Sequence, residues 1–142
     1  MTRHPVVDAR ASDITLNLPA RPENVRVVRH VLGALADALA LPEAVAADVR
    51  LAVTEACTNV VRHAYADGGG TIDVVARPRG DALEVVVADS GRGLGPSPDT
   101  AGPGFGLPLI AALADTLEIE HDASDGSRLV MSFRAAATIG VA

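Results

Sequence analysis

Lysine and tryptophan are absent from this chain of 142 residues, and aromatic residues are scarce. Without lysine the chain cannot carry out lysine-dependent chemistry, which excludes a P-loop nucleotide site with its phosphate-binding lysine. The aromatic residues are Tyr65, Phe105 and Phe133 alone, so we expect a core of aliphatic side chains. The single cysteine, Cys57, excludes an intramolecular disulfide and any all-cysteine metal site.

The chain also has little that points to a membrane or to a nucleic acid. No run of about 18 apolar residues is present to span a bilayer, and the N-terminal stretch MTRHPVVDARASD lacks the apolar segment of a signal peptide. The formal charge of −6 argues against a general nucleic-acid binder, which normally carries a basic face. We therefore expect a cytoplasmic protein with no membrane association and no direct nucleic acid binding.

The remaining composition is typical of one globular domain. Hydrophobic residues make up 49% of the chain and charged residues 21%. A chain of this size buries roughly 70% of the surface that it exposes when unfolded. We expect a single domain over residues 1–142, with flexible tails at about 1–11 and 136–142.

The spacing of apolar residues predicts a definite order of elements. SDITLNLPA alternates apolar and polar residues, which predicts a strand. Pro22 begins one helical pattern, and Pro42 begins a second that runs to about Tyr65, where ADGGG ends it. The strands TIDVVARP and ALEVVVAD follow, joined by a tight turn at RGD.

A segment without periodicity follows these two strands. SGRGLGPSPDTAGPGFG is rich in Gly and Pro and predicts a loop, LPLIAALADTL predicts a third helix, and EIEHDAS with SRLVMSFRA predicts a closing antiparallel pair. Strands occur in pairs and do not alternate strictly with helices. We therefore predict an α+β fold, a two-layer α/β sandwich with the helices packed on one face of a mixed, mainly antiparallel sheet.

Three short patterns are candidates for a functional site. In TEACTNVVRHAY, Glu55 and Asn59 are four residues apart, so they lie on one face of the helix, about 6 Å apart along its axis. They are either a solvated pair or a site that needs a proton acceptor beside a neutral oxygen ligand. In VVVADSGRG, Asp89 follows an apolar strand, where it either forms a plain turn or accepts hydrogen bonds from an exocyclic amine.

The third pattern, GPGFGL, puts three glycines at the start of a helix. Such a turn lets backbone N–H groups approach a phosphate, and the helix dipole favours the negative charge. An ordinary loop-to-helix turn has the same composition, so this pattern alone is weak evidence for a site.

Taken together and in this order, the three patterns resemble the nucleotide-binding boxes of the ATPase superfamily that unites gyrase, the ninety-kilodalton heat-shock chaperones, histidine kinases and mismatch-repair proteins. Within it, LAVTEACTNVVRHAY is most similar to the bacterial anti-sigma factor serine kinases, which regulate stress responses and sporulation. The resemblance extends from about Ile14 to Phe133, and it implies this superfamily's ATP-binding fold.

The resemblance also implies a role for individual residues. Asn59 would be the Mg²⁺ ligand, Glu55 the general base, and Asp89 the acceptor of the adenine amine. Ser127 stands where the family usually has a threonine near the adenine, and it keeps the hydroxyl group. The glycines and their neighbour would surround the nucleotide: Gly91 and Gly93 near the base, and Gly102, Gly104, Phe105 and Gly106 at the phosphates.

Other residues near these patterns stay ambiguous. His63 follows Asn59 by four residues, so it either lines the same pocket, as the family's histidine often does, or packs at the helix end. Arg62 and Arg92 could each reach a phosphate, but we favour ordinary surface arginines. We expect His30 to be structural or exposed, and Cys57 to lie in the core.

The resemblance implies a function as well as a site. We expect an ATP- and Mg²⁺-dependent serine/threonine kinase of the anti-sigma type, a homodimer that sequesters a sigma factor and phosphorylates an antagonist protein. One alternative is a nucleotide-gated regulator without significant kinase activity. Another is a nucleotide-independent interaction domain whose boxes are vestigial.

Overall fold

The computed structural model describes residues 13–67, 69–89, 106–122 and 126–135, except for the side chains of 63–67, 121–122 and 126. The predicted tails therefore lie outside the described residues. In chain order the elements are β1 (Ile14–Pro19), α1 (Pro22–Ala38), α2 (Glu43–Asp67), β2 (Thr71–Arg79), β3 (Ala82–Asp89), α3 (Gly106–Leu113), β4 (Thr116–Asp122) and β5 (Gly126–Arg134).

The strands form one sheet in the order β1-β2-β3-β5-β4, and every strand pairing within the described residues is antiparallel. Gly80, with φ of 63°, makes the tight turn between β2 and β3, a conformation that favours glycine. Because β3 pairs with β2 on one side and with β5 on the other, the end of β3 is fixed by two neighbours.

The helices cover one face of this sheet, and the core lies between the two layers. Apolar residues alternate along the strands, so that Val74, Val87 and Leu129 share the covered face. Helix α2 packs against β2, β3 and β5, with α1 and α3 on its flanks. Phe133 and Met131 are among the largest buried side chains of an otherwise aliphatic core. The predicted two-layer α+β architecture is confirmed.

Two boundaries, the end of the third helix and the start of β4, differ from the sequence prediction. The third helix ends at Leu113, so the residues TL that we assigned to it begin β4 at Thr116. The sheet determines this boundary, because Leu117 lies opposite Met131 and the Asp115 N–H donates to the Ser132 carbonyl at 2.8 Å. Helix propensity alone does not detect such a partner strand.

Helix α1 contains a glycine in its interior, Gly33, which is buried against α2. Glycine costs about 1 kcal/mol relative to alanine at an interior helix position. A Cβ built on Gly33 would lie 3.3 Å from Arg50 Cδ. The missing side chain therefore leaves room for the stem of Arg50 to cross α1. None of the helices in the described ranges is both long and apolar enough to cross a bilayer.

Candidate functional site

Helix α2 carries the first pair of candidate residues. Glu55 and Asn59 are both half-buried, while Val53, Ala56 and Val60 on another side of the same helix are fully buried. The two polar side chains are therefore neither in the core nor on the fully solvated side. This arrangement fits two side chains that face a binding site beside helix α2.

The start of α3 lies directly against Asn59. Gly106 is buried, and a Cβ built on it would lie 2.8 Å from Asn59 Nδ2, 3.1 Å from Oδ1 and 3.3 Å from Cγ. No side chain fits in this space without moving the amide. The contact joins the last glycine of GPGFGL to the candidate metal ligand, two residues 47 positions apart in the sequence (106 − 59).

The sheet supplies a second pair of polar residues. Asp89, the last residue of β3, lies opposite Ser127 in β5, and the two are 4% and 1% exposed. They are the buried polar side chains of the described residues, and each has an interaction partner. Burying a carboxylate is costly unless hydrogen-bond donors satisfy it. A carboxylate kept at this position is suited to accept a hydrogen bond from a ligand amine.

The register adds one residue that the sequence analysis did not single out. Ile72 in β2 lies opposite Asp89 on its other side and is fully buried. The row from Ile72 through Asp89 to Ser127 thus puts an apolar side chain beside the two polar groups on the helix-covered face. Only the pairing of strands could have identified Ile72, because its sequence context is that of any core strand.

The oxygen donors available here fit a magnesium ion better than a softer metal. Asn59 offers an amide oxygen and Glu55 a carboxylate, and Mg²⁺ prefers a few such ligands together with phosphates and waters. Within the described part of the chain, no group of three or more His, Cys, Asp or Glu residues is placed to hold a metal ion. An ion at this site would therefore depend on the nucleotide for most of its ligands.

Several candidate residues cannot be compared with the structure. Gly91, Gly93, Gly102, Gly104 and Phe105 lie outside the described residues, as does Arg92. The backbone of His63 belongs to α2, but its side chain is not among those described. Arg62 is exposed at the same end of α2, and no ion pair among the described residues involves it.

Two residues that we expected to have no site role behave as expected. His30 is exposed on α1, and Cys57 is fully buried in α2. Burial raises the pKa of the Cys57 thiol from its ordinary value of 9.0 to about 12. A thiol with this pKa is almost entirely protonated at neutral pH, which excludes Cys57 as a nucleophile.

The raised pKa predicts a loss of stability in base. Since the folded-state pKa lies above the unfolded value, the stability from the neutral thiol is complete below pH 9 and is lost as the pH rises toward 12. The loss should approach about 1.4 kcal/mol per pH unit in that window. Denaturant unfolding of the parent and of Cys57→Ala should therefore converge as the pH rises. A constant difference would contradict the prediction.

Comparison with known proteins identifies a family and two similar proteins. Residues 18–133 match the family described as histidine kinase-like ATPase domain. The chain is 33% identical over 139 residues to serine-protein kinase RsbW of Bacillus cereus, covering 87% of this chain and 85% of that protein. It is 32% identical over 134 residues to serine-protein kinase RsbW of Bacillus mycoides, covering 84% and 82%.

A solved structure is also similar. The crystal structure of the RsbU and RsbW domains of Rv1364c from Mycobacterium tuberculosis matches with a TM-score of 0.68 and 26% identity. The match covers 86% of this chain, and this chain spans 32% of the length of the mycobacterial one. The likeness therefore concerns one part of a longer protein.

Proposed function

Since this chain belongs to the histidine kinase-like ATPase family, and within it to the serine-protein kinases named RsbW, we propose that it is a single-domain, ATP-dependent protein serine kinase of the anti-sigma type. It transfers the γ-phosphoryl group of ATP to a serine of an antagonist protein and sequesters a sigma factor. The alternative of a regulator without kinase activity is not favoured, because the relatives are named as kinases.

The contact between Gly106 and Asn59 is the observation that best supports an ATP site. A glycine at the start of a helix lets backbone N–H groups approach phosphate oxygens closely. Here that glycine touches the amide that would hold Mg²⁺. A metal bound to Asn59 would thus lie next to the phosphates that complete its shell.

We assign Asp89 and Ser127 to the adenine end of the site. Asp89 would accept a hydrogen bond from the exocyclic amine, with the Ser127 hydroxyl beside it in the same row of the sheet. Asp89→Asn should weaken ATP binding, since an amide can present a donor where the ligand needs an acceptor. Calorimetric titration of this variant tests the assignment, and unchanged ATP affinity would contradict it.

Phosphoryl transfer needs a general base and a bound, correctly oriented triphosphate. Glu55 takes the proton of the acceptor serine hydroxyl as its oxygen bonds to the γ-phosphorus, while the bond from phosphorus to the β,γ-bridging oxygen breaks and ADP leaves. A Mg²⁺ ion held by Asn59 would neutralise charge on the phosphates. The proposed site also includes two glycines near the adenine ring, Gly91 and Gly93. Near the phosphates it includes Gly102, Gly104, Phe105 and His63.

Binding and transfer can be measured separately on the whole chain. MgATP at 100 times its dissociation constant should stabilise the folded protein by roughly 2.7 kcal/mol. Incubation with ATP labelled in the γ-phosphate and the antagonist protein should label a serine of the antagonist. A missing thermal shift at millimolar MgATP would refute the nucleotide site, whereas a shift without labelling would refute only the kinase activity.

We also propose a homodimer that works in the cytoplasm, where sigma factors act. The sheet face opposite the helices supports the dimer, since it carries a row of half-buried valines, Val75, Val86 and Val130. Ion pairs border this row, including Arg128 to Glu120 at 2.7 Å. Sedimentation as a monomer at tens of micromolar would contradict the dimer.

A further inference from the structure

Helices α2 and α3 run antiparallel beside the proposed site. Helix α2 leads into β2, whose residue Ile72 lies opposite Asp89, so α2 points toward the end of the sheet where Asp89 lies. Helix α3 points away from that end, because it leads into β4, which begins opposite Ser132 at the other end of the sheet. A step back along α2 from the contact between Asn59 and Gly106 is therefore level with a step forward along α3.

One turn away from this contact, Glu55 on α2 and Leu109 on α3 lie on the outer side of the helix pair. Each is roughly 5–6 Å along its own helix from the contact, and both are half-buried. Ala52 and Ile110 are fully buried on the inner side of the same pair. The outer side therefore forms a groove, the α2–α3 groove, that starts at the phosphate end of the site and passes the proposed base.

Leu51 extends the α2–α3 groove by one more turn of α2. It precedes Glu55 by four residues, so it lies on the same face of the helix, and it is 43% exposed. Leu109 is half-buried but, unlike Leu113 on the same helix, is not among the described residues that pack against the hydrophobic core. A single exposed leucine needs no explanation. Two of them beside a general base form an apolar surface where the substrate must approach.

Asp48 lies at the far end of the α2–α3 groove. It precedes Glu55 by seven residues, two turns of helix, so the two carboxylates share one face and are roughly 10 Å apart along the axis. Asp48 is half-buried, and no ion pair in the described part of the chain includes Asp48 or Glu55. A half-buried carboxylate without a counter-charge favours a basic side chain on the ligand that lies beside it.

We propose that the α2–α3 groove, formed by Asp48, Leu51, Glu55 and Leu109, binds the segment of the antagonist protein that carries the acceptor serine. With that serine at Glu55, an apolar side chain of the segment packs on the two leucines and a basic side chain pairs with Asp48. An extended chain advances about 3.3 Å per residue, so these side chains are about two and about three residues from the serine. The inference rests on the proposed kinase function, and it names the local sequence that the kinase selects.

Four fluorescent peptides with one central serine test this inference. In the first, leucine is two residues and arginine three residues from the serine on both sides. In the others asparagine replaces leucine, glutamine replaces arginine, or both are replaced. Fluorescence anisotropy, with a non-hydrolysable ATP analogue bound to the whole chain, measures the four affinities. Leucine should improve binding roughly tenfold over asparagine, as expected when about half of a leucine side chain leaves water. Arginine should improve it about two- to fivefold over glutamine.

Variants that lose one preference at a time separate recognition from a general loss of structure. Leu51→Gln keeps helix propensity and should abolish the preference for leucine while keeping the preference for arginine. Asp48→Asn should do the opposite. Ile119→Gln changes an equally exposed apolar residue on β4, also 43% exposed, and should keep both preferences. A parent protein without these preferences, or variants that weaken all four peptides alike, would overturn the proposal.

A second readout separates this inference from the proposed function. The same peptides are incubated with the parent protein and with ATP labelled in the γ-phosphate, and label on the serine is counted. Peptides that bind with both preferences but are never labelled would support recognition by the groove and refute the kinase activity. Peptides that are labelled without either preference would support the kinase activity and refute the groove.

Discussion

Replacing Glu55 by Gln should lower phosphoryl transfer by roughly 10²–10⁴-fold, the usual contribution of a general base. Glutamine keeps the size and polarity of the side chain but cannot take the proton of the acceptor serine. MgATP affinity should stay close to that of the parent, because Asn59 and Gly106 still form the phosphate end of the site. Single-turnover assays with labelled ATP measure the transfer rate, and calorimetric titration measures the affinity for MgATP.

A matched substitution on the other side of the protein controls for the loss of a carboxylate. Glu118 is exposed on β4, so Glu118→Gln makes the same chemical change far from the site. It should alter neither the rate of phosphoryl transfer nor the affinity for MgATP. If Glu55 and Asn59 were merely a solvated pair, Glu55→Gln would resemble this control, since exposed substitutions change stability by less than about 0.5 kcal/mol. Transfer at the parent rate in Glu55→Gln would leave the site without its base.

Replacing Gly106 by Ala should cost both stability and nucleotide. The added Cβ would lie 2.8 Å from the Asn59 amide nitrogen, so either α3 or the amide must shift. Overpacking of this kind typically costs about 1–3 kcal/mol. Displacing a group that orients a metal ligand typically costs about 10–100-fold in affinity, and we expect a loss of that size for MgATP. Denaturant unfolding and calorimetry measure the two losses.

Another glycine in a helix makes a suitable control. At Gly33 the nearest atom to an added Cβ is Cδ of the flexible Arg50 side chain, 3.3 Å away, which can yield. Gly33→Ala should therefore leave MgATP binding intact and should gain up to about 1 kcal/mol from helix propensity. Adding Asn59→Ala to Gly106→Ala should recover part of the lost stability, because it removes the clashing amide. Strictly additive losses would contradict the steric explanation.

The architecture could be predicted from local patterns. Apolar spacing identified each helix and strand because one face of every element is buried, as in Val28, Leu32 and Leu35 of α1. The order of these elements predicted the two-layer arrangement, because the strands occur in pairs and do not alternate strictly with helices, and the family resemblance agrees with it. Where the prediction was wrong, at the end of α3, the deciding contact was between strands β4 and β5.

The packing of the candidate site could not be predicted in the same way. The pair formed by Asp89 and Ser127 depends on strand register, and the contact of Gly106 with Asn59 depends on how two helices meet. The position of Arg50 over Gly33 is likewise a helix–helix contact. The sequence contains the residues of each pair, but the distance between them is a property of the packed molecule.

The two ends of the segment 90–105 are anchored independently of one another. Asp89 is held in the middle of the sheet by β2 and β5, and Gly106 is packed on Asn59 of α2. The described contacts of the two anchors lie in β2, β5 and α2. Doubling the length of a flexible connection adds only about 0.6 kcal/mol of closure entropy. Insertions between Gly93 and Gly102 are therefore a route by which such chains can diverge while keeping Asp89 and Gly106 in place.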